Sequence, residues 1–428
     1  MGALRVGKLA RYLLSRGHDT RVLSARDLPR PQTLPQDFPE DRVVRTPWWD
    51  VNKLPKTVAR WLRGRNKAAA RNPDPAPGPG PSQSASAQAG GRAAGSLRSA
   101  LSGLYTNLVN FPDAYVGWVP PSVAAGRRML KAWLPDLIFA TGPPFTALIA
   151  ARILARSFRV PWVIEFRDRW SDDPYYPPPA WRQWLERTVE RRLIGSAAAL
   201  VTVSEPWAHV YRQTYGKPTV TIFNGFDPAD FPEAGTGAPE PGVLRIVHTG
   251  RIYPGRRDPS PLFEAVSQMD QAQDVRMVFL GAEASSVAAL AERHGVTALV
   301  ETHPHVPYAE ALAAQRQADI LLFMQWNDPQ EQGNVPGKLF EYLAVRRPIL
   351  GLGLEDGVPA SIIRDRSAGV FCNDPRGIAG HLSQWLAEKR EKGRIEPLPE
   401  SVRAGFARDE QFTKLETVLY DVCRTEAG

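Results

Sequence analysis

Several kinds of feature are scarce in this chain, and each scarcity excludes something. The only two cysteines, Cys372 and Cys423, stand far apart and in no metal-binding or redox spacing, which suits a reducing cytoplasm. No uninterrupted apolar run approaches the roughly 18 residues that mark a membrane-spanning helix. The start, Met1-Gly2-Ala3-Leu4-Arg5, lacks the apolar core of a signal peptide. The seven histidines form no ligand cluster. His303 and His305 alternate with no carboxylate at ligand spacing beside them, so they read as non-ligands. No helix-turn-helix, zinc-finger or aromatic RNA-binding signature stands out, which removes nucleic acid as a partner.

What is present is length, apolar content and positive charge. A chain of 428 residues, 43% hydrophobic, suggests two domains with real cores. A formal charge of +8 suits anionic substrates or an anionic surface. Residues 3–16 read as an amphipathic helix and Thr20–Ser24 as a strand. Residues 72–95, rich in Pro, Gly, Ser and Ala, cannot bury enough apolar surface to offset ordering entropy and read as a disordered insertion. Short apolar strands then alternate with helices: strands at 137–140, 162–166, 199–203 and 219–223, helices at 144–157 and 179–195. A second alternation starts at Leu244–His248, with strands at 275–280, 320–323, 349–351 and 369–371, and a closing helix from Phe406 to Val422. This pattern predicts two doubly wound α/β domains, each built on a parallel sheet covered on both faces. The boundaries are 1–231 for the first domain, 232–242 for a Gly/Pro-rich linker, 243–404 for the second and 405–428 for the last helix. Ligands of such sheets bind at the strand carboxyl ends.

Residues 333–351 carry the clearest chemistry. A polar loop enters a short apolar helix, with Pro336 suited to its first turn. Lys338 and Glu341 are three residues apart and share a face. Free N–H groups and a lysine attract phosphate, and a carboxylate one turn on can accept from a ribose diol. The segment resembles the donor-binding motif of retaining GT-B glycosyltransferases of the family-four, or group 1, type. Thr249-Gly250-Arg251 through Arg256-Arg257-Asp258-Pro259, Phe223-Asn224-Gly225-Phe226-Asp227, Glu165-Phe166-Arg167-Asp168-Arg169-Trp170 and Thr141-Gly142-Pro143-Pro144 resemble further loops of the family, in the family's order. The last two are similar to loops of capsule, O-antigen and exopolysaccharide transferases.

The resemblance implies a GT-B fold and transfer of a sugar from a nucleotide-sugar donor to a glycan or lipid-linked acceptor, with retention of configuration. It implies no metal and no cofactor. Donor contacts would come from Gly250, Arg251, Arg256 or Arg257, Val306, Asn334, Lys338, Leu339 and Glu341. The second cation of the family's phosphate loop aligns with Arg257 if one residue is inserted and with Arg256 if not; Arg257 is favoured. Val306 would offer backbone atoms to the nucleobase. On the acceptor side stand Gly2, Arg167 and Asp168, the last as base or as a group orienting the acceptor hydroxyl, or else as a structural partner of Arg167 or Arg169. The family's closing helix crosses back to the first domain.

The sequence departs from the family in two places. The first acid of the Glu-x7-Glu motif would fall at Gly333, and Glu331 could replace it only if the loop shifts. The family's first strand is also missing, since Arg5-Val6-Gly7-Lys8-Leu9-Ala10 is already the following helix. The expectation is a start upstream, with genuine loss of the strand as the alternative, and a gap or a substituted strand in the first domain's sheet. Two other readings stay open: a sugar-nucleotide epimerase of the same fold, and a protein that binds nucleotide or membrane without turnover. Finally, Lys53, Lys56, Arg60, Arg63, Arg65, Lys67 and Arg71 lie in a stretch without acids, with Leu54, Val58, Trp61 and Leu62 on one helical face. That pattern suits a helix on an anionic leaflet, and hence a cytoplasmic protein peripheral to the inner face of the plasma membrane.

Overall fold

The computed structural model describes residues 2–28, 38–53, 107–176, 178–231 and 242–426. The 72–95 insertion, the basic stretch from Leu54 onward and residues 232–241 of the linker lie outside them.

The C-terminal half is a six-stranded, all-parallel sheet of order β12-β11-β10-β7-β8-β9. Its strands are β7 (Leu244–Thr249), β8 (Val275–Leu280), β9 (Val300–His303), β10 (Ile320–Met324), β11 (Ile349–Leu352) and β12 (Gly369–Phe371). β8, β10 and β11 read as nearly continuous apolar runs because helices cover both faces. Six helices follow these strands in turn: α6 (Ser260–Ser267), α7 (Ala284–Arg293), α8 (Tyr308–Arg316), α9 (Lys338–Val345), α10 (Val358–Asp365) and α11 (Pro375–Lys392). One face packs Leu262, Phe263 and Leu382 on the sheet, the other Leu339, Phe340 and Leu343. Strand order reverses between β7 and β10, and a crevice forms at the carboxyl ends of strands on either side of such a switch. Gly250 and Gln325, the residues just after those two strands, flank it.

Among the described residues, the N-terminal half holds two parallel sheets. One pairs β1 (Val22–Ala25) with β2 (Val43–Thr46), and the other runs β3-β4-β5-β6. The strands of the second are β3 (Ile138–Gly142), β4 (Trp162–Phe166), β5 (Ala199–Thr202) and β6 (Thr219–Thr221). Leu23 of β1 and Ile138 of β3 meet in one apolar cluster, without a hydrogen-bonded ladder between their strands. Among the described residues the strands of this half are therefore divided between two sheets. Helix α1 (Gly2–Ser15) precedes β1, and α2 (Val119–Ala132), α3 (Thr146–Phe158), α4 (Ala180–Ser196) and α5 (Glu205–Tyr215) follow in this half.

The last helix, α12 (Arg408–Glu426), packs Phe412 and Leu415 against Leu9 of α1 and against Val163 and Ile222 of the N-terminal sheet. Tyr12 Oη donates to Glu416 Oε2 at 2.9 Å. Among the described residues, no helix is long and apolar enough to cross a membrane.

The periodicity located most elements to within two residues, but missed β2, β9 and α2, gave no range for α5, and ended the closing helix four residues early. Helix α2 opens Val-Pro-Pro and holds Gly126, a poor helical signature; the glycine sits where a Cβ would overlap Leu154 of α3. β6 stops at Thr221 rather than Phe223 because the Phe223 N–H turns to Gln411 Oε1 of α12, at 2.9 Å.

Candidate active site

The loop after β7 and the start of α9 build one wall of the crevice. Lys338 Nζ crosses to the carbonyl of Thr249 at 2.7 Å. A Cβ on residue 250 would overlap that ammonium, and Gly250 has φ 123°, so only glycine admits the lysine here. Burial, reinforced by the Arg257 guanidinium, pushes the Lys338 amine down to about 8 against the pull of Glu341. Glu341 is itself buried, which raises its carboxyl pKa. Gln315 Nε2 approaches its Oε2 at 3.4 Å, and Lys338, Arg408 and Tyr308 work in the opposite direction. Tyr342 Oη accepts from the Thr249 N–H at 3.1 Å, tying β7 to α9. His248 is buried and held neutral, and its Nδ1 lies 2.9 Å from the Leu322 carbonyl.

Arg256 and Arg257 face the opposite domain. The Arg256 guanidinium lies over Trp326 at 4.4 Å and over Tyr175 at 5.1 Å, and that of Arg257 lies 5.8 Å from Tyr175 and 5.6 Å from Tyr253. Tyr175 belongs to the loop after β4, so these stacks join the two halves. Arg251 is exposed on the loop after Gly250. Val306 follows β9 and packs its side chain on the core. Leu339 is a correction: its side chain is fully buried in the core, and its N–H already donates to the Pro336 carbonyl at 3.1 Å, so it presents nothing to the crevice.

The position of the absent acid has a structural reason. A Cβ on Gly333 would overlap the ring of Trp207 in α5 and come within 2.9 Å of Ser204 Oγ, so the opposite domain fills that space. Glu331 instead turns inward and is fully buried. Its Oε2 accepts from Asn334 Nδ2 at 2.9 Å, with Gln325 Nε2 at 3.5 Å, while Oε1 has no partner. The Asn334 N–H is occupied by the Glu331 carbonyl at 2.8 Å.

On the N-terminal side, Arg5 of α1 donates from Nε to Glu165 Oε1 at 2.8 Å and from Nη1 to the Phe223 carbonyl at 2.7 Å. Glu165 Oε2 accepts from Thr141 Oγ1 at 2.6 Å, and Arg167 Nε donates to that same hydroxyl at 2.9 Å. Arg167 is thus engaged by Thr141 and the Pro143 carbonyl. Arg169 reaches Asp172, at 3.8 Å. Asp168 makes no ion pair with either neighbour. It is open to the crevice while protein crowds its other sides; that burial raises its pKa, Asp173 adds to the rise, and Arg167 and Arg257 counter it. Gly2 is the first residue of α1, one turn before Arg5. Ser204 stands at the N-cap position of α5, but its hydroxyl caps nothing.

Eleven buried side-chain polar atoms lack a hydrogen-bond partner among the described residues. Seven belong to this junction: Tyr175 Oη, Ser204 Oγ, His248 Nε2, Arg257 Nε, Gln315 Oε1, Gln325 Oε1 and Glu331 Oε1. Tyr175 nevertheless lies close to Glu331 and Arg257, and His248 to the Arg251 backbone, so part of this set faces itself; since buried polar groups are normally satisfied, the remaining capacity at one crevice suits a bound ligand. Sequence reasoning missed Tyr175, Trp326, Gln315 and Trp207, because nothing in their local spacing shows that two distant segments meet.

A glycosyl transferase 4-like domain matches residues 75–225. The sucrose-phosphate synthase of Thermosynechococcus elongatus superposes with a TM-score of 0.60 at 13% identity, over 99% of this chain and 94% of that one. The fold is GT-B. The GT-B chain is also similar to WaaG, a glycosyltransferase involved in lipopolysaccharide biosynthesis, with a TM-score of 0.51 at 12% identity over 99% and 94% of the two chains. Anabaena HepE in complex with UDP gives 0.53 at 15% identity over 72% and 84%. None of the curated proteins matches. The domain match and the fold together support a glycosyltransferase, and its crevice between two doubly wound domains is the GT-B cleft.

Proposed function

We propose that the protein transfers a sugar from a nucleotide-sugar donor to a glycan or lipid-linked acceptor with retention of configuration. The observation that carries this reading is the set of unpartnered polar atoms gathered around Lys338, Arg257 and Glu331 between the two domains. Lys338 and Arg257 hold the donor diphosphate, Arg256 stands beside them, and Glu341 accepts from the ribose. Departure of the nucleoside diphosphate places negative charge on the oxygens facing these cations, so they stabilise the transition state more than the ground state. Arg257 Nε has no hydrogen-bond partner among the described residues, so the guanidinium keeps bonding capacity for a phosphate oxygen. The acceptor hydroxyl attacks on the face the diphosphate leaves, and its proton passes to the departing phosphate. Asp168, unpaired at the opposite wall, orients that hydroxyl.

Incubating the full chain with a panel of UDP, GDP and dTDP sugars tests the reading. Slow release of nucleoside diphosphate from one donor is expected, and proton NMR of the released sugar should show the donor's own anomer first. Release of the inverted anomer would contradict retention. Formation of an epimeric sugar would indicate an epimerase, and binding without any turnover would indicate a nucleotide-binding protein.

A further inference from the structure

The outward face of α4 carries two exposed indoles. Trp184 is 68% exposed and Trp181 38%, and the two share a face at i and i+3. Arg187 and Arg191 continue that face, three and seven residues beyond Trp184, with Arg192 beside them. The acids of the helix point the other way. Glu186 is buried against Arg182 at 2.8 Å, and Glu190 is buried beneath the Ser171 N–H at 3.2 Å. The exposed residues of α4 therefore include no carboxylate.

The C-terminal end of α4 runs into a hollow of about 450 Å³ lined by Arg152, Arg156, Arg159 and Lys217. Arg152 Nε donates to Ser196 Oγ at 3.3 Å and Lys217 Nζ to the Ala197 carbonyl at 2.8 Å, which fixes both cations beside the helix end. α3, which supplies Arg152 and Arg156 and is capped by Arg159, holds no acid. The nearby carboxylates are engaged elsewhere, Asp172 by Arg187 at 2.7 Å and Glu205 by Arg212. Among the described residues, no ion pair neutralises Arg156, Arg159, Arg191 or Arg192.

The surface thus runs from exposed indoles to unneutralised guanidinium groups along one helix and its neighbour. A water-facing surface has no use for two exposed indoles beside such cations. A bilayer interface has a use for both: indoles settle at headgroup depth while arginines bond lipid phosphates. We infer that this face docks on an anionic lipid bilayer. Charge complementarity selects the occupant. α4 begins just after the loop bearing Asp168 and Tyr175, so its indole end lies beside the cleft and docking would bring the cleft to the lipid surface. The inference concerns α4 and α3, not residues 53–71, and it stands independently of the donor chemistry.

Co-sedimentation of the full chain with phosphatidylcholine vesicles, with and without about one third phosphatidylglycerol, is the test. Binding should require the anionic lipid and weaken with salt. Replacing Arg156, Arg191 and Arg192 with Gln should lower the partition constant roughly a hundredfold, at about fivefold per cation. Trp181→Ser with Trp184→Ser should lower it about tenfold or more. Because all five side chains are exposed, nucleotide binding by these variants should match the wild type and report that they are folded. A variant with Lys56, Arg60, Arg63, Arg65, Lys67 and Arg71 changed to Gln should keep the α4-dependent binding. Wild-type partition of both α4 variants overturns the inference, as does a wild-type chain indifferent to anionic lipid. Loss of binding only in the 53–71 variant also overturns it, and so does α4-dependent capture of a protein in place of vesicles.

Discussion

The two walls of the cleft are built on different plans. The C-terminal wall is tied down before any ligand arrives: Lys338 to the Thr249 carbonyl, Tyr342 to the Thr249 N–H, and Gln315 to both Thr249 and Glu341. In the N-terminal wall the supporting groups are tied and the acid is not. Arg5, Glu165, Thr141 and Arg167 form one network, while Asp168 stands unpaired at its edge. Groups that must hold charge in place gain from preorganisation, because their alignment is settled before the reaction. A group that meets a variable acceptor gains from being free. The proposed function places binding on one wall and hydroxyl orientation on the other, and mutations in the two walls should separate these roles.

The largest effect is expected at Asp168. Asp168→Asn should lower kcat by about a hundredfold or more, leaving nucleotide affinity within about twofold of the wild type. A loss that appears in nucleotide affinity instead would erase the division between the walls. Next come Lys338→Ala and Glu341→Gln. Loss of charge-assisted hydrogen bonds worth about 1.5–3 kcal/mol each should reduce kcat/KM roughly tenfold to a hundredfold and weaken nucleotide binding in parallel. Calorimetry and steady-state kinetics on the same preparations would check both numbers.

The pH dependence of donor binding should belong to the C-terminal wall. The Lys338 amine, held near 8 by burial and by Arg257, is driven back up by a diphosphate, so binding takes up a proton. Donor affinity should be full below about pH 8 and fall by up to about tenfold per unit above it. Stability carries the opposite trend from this residue. The unfolded lysine keeps its proton up to its ordinary pKa of 10.5, so between about 8 and 10.5 the unfolded state binds more protons and stability rises with pH. Titrations whose affinity stays flat from neutral pH to well above pH 8 would remove Lys338 from the diphosphate. The smallest effect is expected at the contact between the walls. Trp326→Ala removes one ring from the Arg256 stack, worth about 0.5–1 kcal/mol, and should raise KM severalfold with little change in kcat.

How much of this was legible in the sequence differs by region. The C-terminal wall was readable because its parts are close in sequence. Pro336, Lys338 and Glu341 lie within one loop and one helix turn, and Gly250 follows directly on an apolar strand. The alternation of apolar strands with helices gave the doubly wound domains for the same local reason. Contacts between distant segments were not readable. Gly333 stood out as a missing acid, but its cause is Trp207, more than a hundred residues earlier. Glu331, Gln325 and Tyr175 meet across two domains and share no spacing that would announce it. Leu339 shows the opposite error: a motif position taken as a contact is a core residue, because the helix that presents Lys338 to the cleft must turn its neighbour inward. The helix α2 was hidden by prolines and by a glycine whose use lies in packing.

The central claim is that the C-terminal wall alone holds the donor nucleotide. It is tested most directly by calorimetric titration of the wild-type chain, Asp168→Asn and Lys338→Ala with the nucleoside diphosphate of whichever donor the panel selects. The account predicts equal affinity for the wild type and Asp168→Asn, and at least about tenfold weaker binding for Lys338→Ala. Undiminished binding by Lys338→Ala, or a comparable loss in Asp168→Asn, would contradict it.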